Sequence, residues 1–214
     1  IKINLSLCMD IYVSDARNCR KKTADAVRYG AGHMVTPPYL RKNQPVFWAL
    51  DNGAFITYKK GGSFDSSAYM EALNRALDFS RLPNFTVLPD IVAGGRASLE
   101  MSMSYLDIVK GIPRYLALQD GMTVADVEPL MNDIEGLFIG GTVSWKYRTM
   151  AVWVWLAHKY NKKCHVGRIG TMEGYKHCYL QNVDSVDGSN PSRNDKIIMV
   201  KMFQDWVKER EKYE

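Results

Sequence analysis

Hydrophobic and polar positions along the chain fall into short apolar runs separated by longer amphipathic stretches. The runs are INLSLC (3–8), HMVT (33–36), VFWAL (46–50), FTVLP (85–89), RYLAL (114–118), GLFIG (136–140), CHVGR (164–168) and VDSVD (183–187). Each is rich in β-branched or aromatic residues and short enough to be a buried strand. The stretches between them have helical length and periodicity. Residues 14–30 open on a capping residue and close on Gly30, and residues 65–80 place Tyr69, Leu73, Ala76 and Leu77 on one stripe. Further helices are predicted over 96–111, over 123–133 from a Thr123 cap, over 144–161 with Trp153 and Trp155 on its apolar side, over 171–181 and over 194–212. The connection from HMVT to VFWAL carries prolines and is irregular.

Strands that alternate with helices form parallel sheets. Eight of them predict a compact (β/α)₈ barrel, an α/β fold in one domain over residues 1–214, near the lower size limit of that architecture. A doubly wound open sheet is the alternative. It usually carries a glycine-rich phosphate loop after its first strand, and LCMDIYVSD offers none.

The polar residues that follow the runs sharpen the barrel reading. VFWAL leads into Asp51-Asn52-Gly53, FTVLP into Asp90, RYLAL into Gln119-Asp120-Gly121, GLFIG into Gly141-Thr142 and VDSV into Asp187-Gly188. In a parallel barrel all these strand ends open onto one face, where barrel active sites lie. Turns and helix caps use the same residues. Asp90 is flanked by apolar residues on both sides, which favours a place inside the mouth. Asp184 and Asp187 are three apart, so an extended strand points them to opposite sides. Asp187 is nearer the mouth, and Asp184 is expected in structural hydrogen bonds. His165 lies in a strand and could face the barrel interior; it reads as a structural histidine, with a catalytic one as the alternative.

Composition changes this picture little. Hydrophobic residues are 46% and charged residues 24%, as in ordinary globular chains. No apolar run approaches the ~20 residues of a membrane helix, and the first residues do not resemble a signal peptide. Four cysteines without a C-x-x-C pair fit free thiols and a cytoplasmic setting. A net charge of +5 leans mildly toward polyanions. No Ser-His-Asp order, H-E-x-x-H or P-loop is present.

The ordered set of strand ends resembles the tRNA-guanine transglycosylase superfamily, whose (β/α)₈ enzymes exchange guanine for a 7-deazaguanine. LDNGAF (50–55) is similar to its Asp-Ser-Gly-Gly-Phe stretch, LALQDG (116–121) to its Val-Gln-Gly segment, LFIGGT (137–142) to its Gly-Gly-Leu stretch, and NVDSVDGSNPSR (182–193) to its Asp-x-Phe-Asp-Cys-Val-x-Pro-Thr-Arg run. The resemblance implies Asp187 as nucleophile, Asp51 as general acid/base, and Asp90, Gln119 and the Gly140-Gly141 backbone as readers of the purine. Arg193 matches the arginine of the last run. Asn52 stands where the family has Ser, and Thr142 where it has Leu; both fall in the substrate-binding set. Phe55 is the candidate aromatic lid.

The family's tRNA enzymes carry a C-terminal zinc site of three cysteines and a histidine, whereas here a helix follows Arg193. No metal and no cofactor are therefore expected. The compact form is more similar to the phage and bacterial branch that modifies DNA. The resemblance then implies DNA and a free 7-deazaguanine base as partners, with tRNA as the alternative polymer. A homodimer and partner modification proteins stay open, as does a non-catalytic base-binding barrel. A sugar-phosphate barrel enzyme, with GRIGT (167–171) as its phosphate cup, is a further reading. Arg41, Lys42, Lys146, Arg148 and Arg193 are the basic residues expected to hold phosphates at the mouth, with solvated surface as the plain alternative for each.

Overall fold

The computed structural model describes residues 9–14, 25, 27–42, 44, 47–194 and 196–212. Eight parallel strands close into a barrel in chain order. They are β1 (Asp10–Ser14), β2 (Gly32–Val35), β3 (Trp48–Leu50), β4 (Thr86–Val87), β5 (Arg114–Leu118), β6 (Gly136–Ile139), β7 (Lys163–Val166) and β8 (Ser185–Gly188). Closure is made by β1 on β8, where Tyr12 pairs with Asp187. The chain is a (β/α)₈ barrel, as the alternation of its elements predicts.

Strand alternation divides each run between two cores. Outward residues such as Ile11, Leu50, Leu116, Leu137, Val166 and Val186 are buried under the helices. They meet Tyr69, Ala72 and Leu73 of α2 (Ser66–Leu77), Met150, Trp153 and Leu156 of α5 (Val143–Lys159), and Tyr175 and Cys178 of α6 (Met172–Leu180). Truncating a fully buried residue such as Leu116 to alanine costs about 2–5 kcal/mol. Inward residues form a second core of Tyr12, Met34, Ala49, Phe85, Val87, Tyr115 and Ala117, with Phe47 and Phe138 against it. Its rings stack in pairs: Tyr12 on Phe47 at 4.5 Å and Phe85 on Tyr115 at 4.0 Å. Gly136 is needed beside them, because a Cβ there would lie 2.6 Å from the Tyr115 ring. This aromatic layer plugs the barrel and leaves the strand C-termini open above it.

The differences from the expected elements have local causes. The strand expected at 3–8 lies outside the described residues, and β1 is the following DIYVS. Most of the helix expected over 14–30 also lies outside them. The Gly53 turn, at φ +82°, starts a helix the sequence did not suggest, α1 (Ala54–Lys59). The helix expected over 96–111 is α3 (Gly95–Ser104), followed by turns. The 123–133 stretch holds α4 (Val124–Val127) with the Thr123 cap, then a 3₁₀ turn at Glu128–Leu130, where Pro129 cannot donate an α-helical hydrogen bond. Asn190–Arg193 is a separate short helix, α7, and α8 begins only at Ile198 and runs to Arg210. Leu77 and Trp155, expected on buried stripes, are 40% and 55% exposed. A stripe of helical period is wider than the face its neighbours cover. Among the described residues no helix is long and apolar enough to cross a membrane.

Candidate active site

Above the aromatic layer lies a cavity of about 440 Å³. Its walls come from the C-terminal end of nearly every strand: Ser14 at the end of β1, Thr36 after β2, Asp51 after β3, Asp90 after β4, Gln119 after β5, Gly140 and Gly141 after β6, and Asp187 in β8. The inward set explains this. Ala49, Ala117 and Ser185 face the barrel axis, so the residues two further on, Asp51, Gln119 and Asp187, face the space above it.

Asp187 is 7% exposed and carries three donors. The Ser14 hydroxyl donates to Oδ2 at 2.5 Å. His165 Nε2 and the Arg168 backbone N–H donate to Oδ1 at 3.1 and 3.3 Å. Burial pushes the carboxyl up, but the hydrogen bond and electrostatic interaction with His165, then the Ser14 hydrogen bond and the nearby Lys146 ammonium, outweigh it and hold Asp187 below its usual value. His165 itself is fully buried, and burial keeps its imidazole neutral.

Asp51 behaves oppositely. Burial, and then the charges of Asp187 and Asp90, push it up to about 7. One cavity thus holds one carboxylate kept ionised and another poised to carry a proton at neutral pH.

The third acid is fixed by amides. Asn52 Nδ2 donates to Asp90 Oδ1 at 2.7 Å, and Gln119 Nε2 to Oδ2 at 2.6 Å. Asn52 also donates to the Leu88 carbonyl, and its Oδ1 accepts from the Ala54 N–H at the start of α1. Burial raises Asp90, and the two amide bonds offset part of that. Gly140 lets Gln119 lie close, since a Cβ there would be 2.8 Å from Gln119 Nε2.

The structure brings Asp51, Asn52, Phe55, Asp90, Gln119, Gly140, Gly141, Asp187 and Arg193 into the cavity lining. Thr142 is not in it. It caps α5, and both its N–H and its hydroxyl donate to Asp120 at 2.6 Å. Arg41, Lys42 and Arg148 are exposed but outside the lining. Lys146 corrects the sequence reading. It is 1% exposed, beneath the mouth, and its ammonium donates to the Gly167 carbonyl, so it cannot meet a phosphate. Burial, and next the charge of Arg168, lower it to about 8. Asp184 is turned outward as expected, accepting from His158 Nε2 at 2.9 Å and from the Cys164 N–H at 2.8 Å.

Sequence reasoning missed Ser14, Lys59, Lys60 and Arg168. Arg168 adopts φ +60°, a left-handed conformation uncommon without glycine. That turn aims its N–H at Asp187 and lays its guanidinium over Phe55, 4.5 Å from the ring centroid. Phe55, the expected aromatic lid, is thus paired with Arg168, whose guanidinium also donates to the Gly141 carbonyl. Among the described residues no cluster of three His, Cys, Asp or Glu side chains could hold a metal ion. No protein-family model matches the chain, and no curated protein is significantly similar to it.

Proposed function

We propose that the chain is a base-exchange transglycosylase, which replaces guanine in DNA with a 7-deazaguanine base through a covalent aspartyl-deoxyribose intermediate. The observation that carries this reading is the pairing in one cavity of Asp187, held ionised, with Asp51, poised near neutrality. Cleavage of an N-glycosidic bond builds positive charge on the sugar, which an ionised carboxylate can trap. The departing base needs a proton, which an acid near pH 7 can supply.

In the first step an Asp187 oxygen bonds to C1′, the C1′–N bond breaks, and its electron pair leaves with the guanine, which takes the Asp51 proton. In the second step the incoming base gives its proton to Asp51 and attacks C1′. The ester bond breaks and returns its pair to Asp187. Asp90 and Gln119 supply a fixed acceptor and amide on one wall, suited to the edge of a purine. Phe55 and Arg168 stand where water must be excluded from the ester. Lys59, Lys60, Arg168 and Arg193 ring an acidic floor, which suits a phosphate backbone outside and a base inside. The target nucleotide must leave its stack to enter, at a cost of a few kcal/mol.

The test is incorporation of radiolabelled guanine into DNA and tRNA offered together in equal amounts. Label in DNA is expected. Label in tRNA alone would replace the polymer but keep the chemistry. Label in neither would reject base exchange.

A further inference from the structure

We infer that His165 is a positioning residue for Asp187: a neutral imidazole, held in one orientation by Ser185, that turns the carboxylate to the cavity and donates to its Oδ1. This rests on the reading of Asp187 as nucleophile.

His165 does not line the cavity, and it acts from below. Its ring lies in the aromatic layer, stacked on Phe138 at 4.9 Å, with Phe85 at 5.2 Å and Tyr12 at 5.8 Å. An imidazolium would be poorly solvated among these rings. The ionised Asp187 can only accept, so Nε2 must carry the hydrogen. In the neutral ring Nδ1 is then bare, and it accepts from the Ser185 hydroxyl at 2.8 Å. Both ring nitrogens are thereby fixed, and the imidazole cannot turn. Ser185 and Asp187 sit two apart on β8, facing the same way, with Ser185 in register with His165 on β7. One strand thus supplies both the lock and the group it serves.

The donors around Asp187 are unequal in kind. Oδ1 takes the fixed His165 and Arg168 N–H groups, while Oδ2 takes only the rotatable Ser14 hydroxyl. Oδ1 is therefore the oxygen that becomes the ester carbonyl, and Oδ2 the one that bonds to C1′. The charged and titratable groups that also face Asp187 are Asp51 across the cavity, Lys146 of α5 and Tyr175 of α6. None of them hydrogen-bonds to it among the described contacts.

The experiment reads Asp187 without any substrate. In protein carrying ¹³C-labelled aspartate, the Asp187 carboxyl signal is assigned by its loss in Asp187→Asn and titrated. His165→Leu removes the donor, and His165→Gln keeps an N–H near the Nε2 position. The Leu variant is expected to raise the titration midpoint by at least about one pH unit, with Gln restoring part of it. The ¹⁵N imidazole spectrum should show a neutral Nε2–H form, which Asp187→Ala mixes with the other tautomer. In exchange assays the acid limb should move by the same amount, and kcat should fall roughly 10–100-fold with KM little changed. An unmoved midpoint in folded His165→Leu overturns the inference. Should that variant not fold, a charged or Nδ1–H imidazole in the wild type overturns it instead. A shifted midpoint in a protein that exchanges no base keeps the positioning role and rejects the base-exchange reading.

Discussion

Gln119 donates its side-chain amide to Asp90 at 2.6 Å across the cavity wall, linking the end of β5 to the segment after β4. Asn52 holds the other oxygen at 2.7 Å, so the carboxylate cannot rotate to suit a ligand. Such a wall discriminates, because a ligand that fails to match leaves buried polar groups unpaired. Gln119→Ala should therefore raise KM for guanine more than it lowers kcat, and should narrow the difference between guanine and adenine as inhibitors. Competition assays with both bases measure this, and unchanged selectivity would remove Asp90 and Gln119 from base reading.

If Asp187 is the covalent nucleophile of the proposed exchange, Asp187→Ala should fold and lose exchange by a factor on the order of 10³ or more. The wild type, mixed with a DNA substrate without incoming base, should form a protein–DNA adduct that survives denaturation. Denaturing electrophoresis resolves it, and the Asp187→Ala lane should be empty.

Asp51→Asn should be inactive yet more stable than the wild type at high pH. In the folded chain Asp51 keeps its proton up to about 7. The unfolded chain releases it near the ordinary carboxylate value, so stability falls as pH rises between the two. Above that window the wild type bears the full cost, and an amide bears none. Asp51 is partly open to the cavity, so the gain should be roughly 1–3 kcal/mol at pH 8 and near zero at pH 4. Urea unfolding at the two pH values checks the sign. A variant less stable at pH 8 would mean that Asp51 is held ionised.

Lys59→Ala and Lys60→Ala should each weaken DNA binding and flatten its salt dependence by about one unit of slope, because each phosphate contact releases a counterion. Lys146→Met should leave the slope unchanged, since its ammonium is buried on the Gly167 carbonyl. Binding titrations from low to moderate salt separate the two sets.

Glu135→Ala supplies a control away from the cavity. Glu135 accepts from Arg114 Nε and Nη2 at 3.1 Å and from the Arg114 N–H at 2.6 Å, at the start of β5. Loss of this forked pair should cost about 1–2 kcal/mol and leave exchange kinetics unaltered. A change in kcat would show coupling between the two ends of the barrel.

The alternation of runs determined a parallel α/β fold by itself, because a parallel strand buried on both faces is continuously apolar and its return is a helix; that the sheet closes rather than staying open was decided by the pairing of β1 with β8. RYLAL (114–118) is β5 residue for residue, and seven of the eight predicted runs overlap a strand. The position of Asp51, Asp90, Gln119 and Asp187 at strand ends was equally legible, since a parallel barrel points all those ends one way. Their mutual ionisation was not. It depends on charges and donors brought together from residues far apart, such as Ser14 and Asp187, 173 positions apart. His165 shows the boundary most clearly. Its place in a strand was readable, but whether it met solvent, a ring or a carboxylate was decided by the register of β7 on β8. Lys146 was misplaced for a related reason: helical periodicity names a face, and only packing says that this face turns under the Gly167 loop. Arg168 lies in GRIGT, read only as a possible phosphate cup, and nothing local pointed to Phe55 or Asp187. Its left-handed backbone and its contact with Phe55 exist only because barrel closure holds β3 and the β7 loop around one mouth.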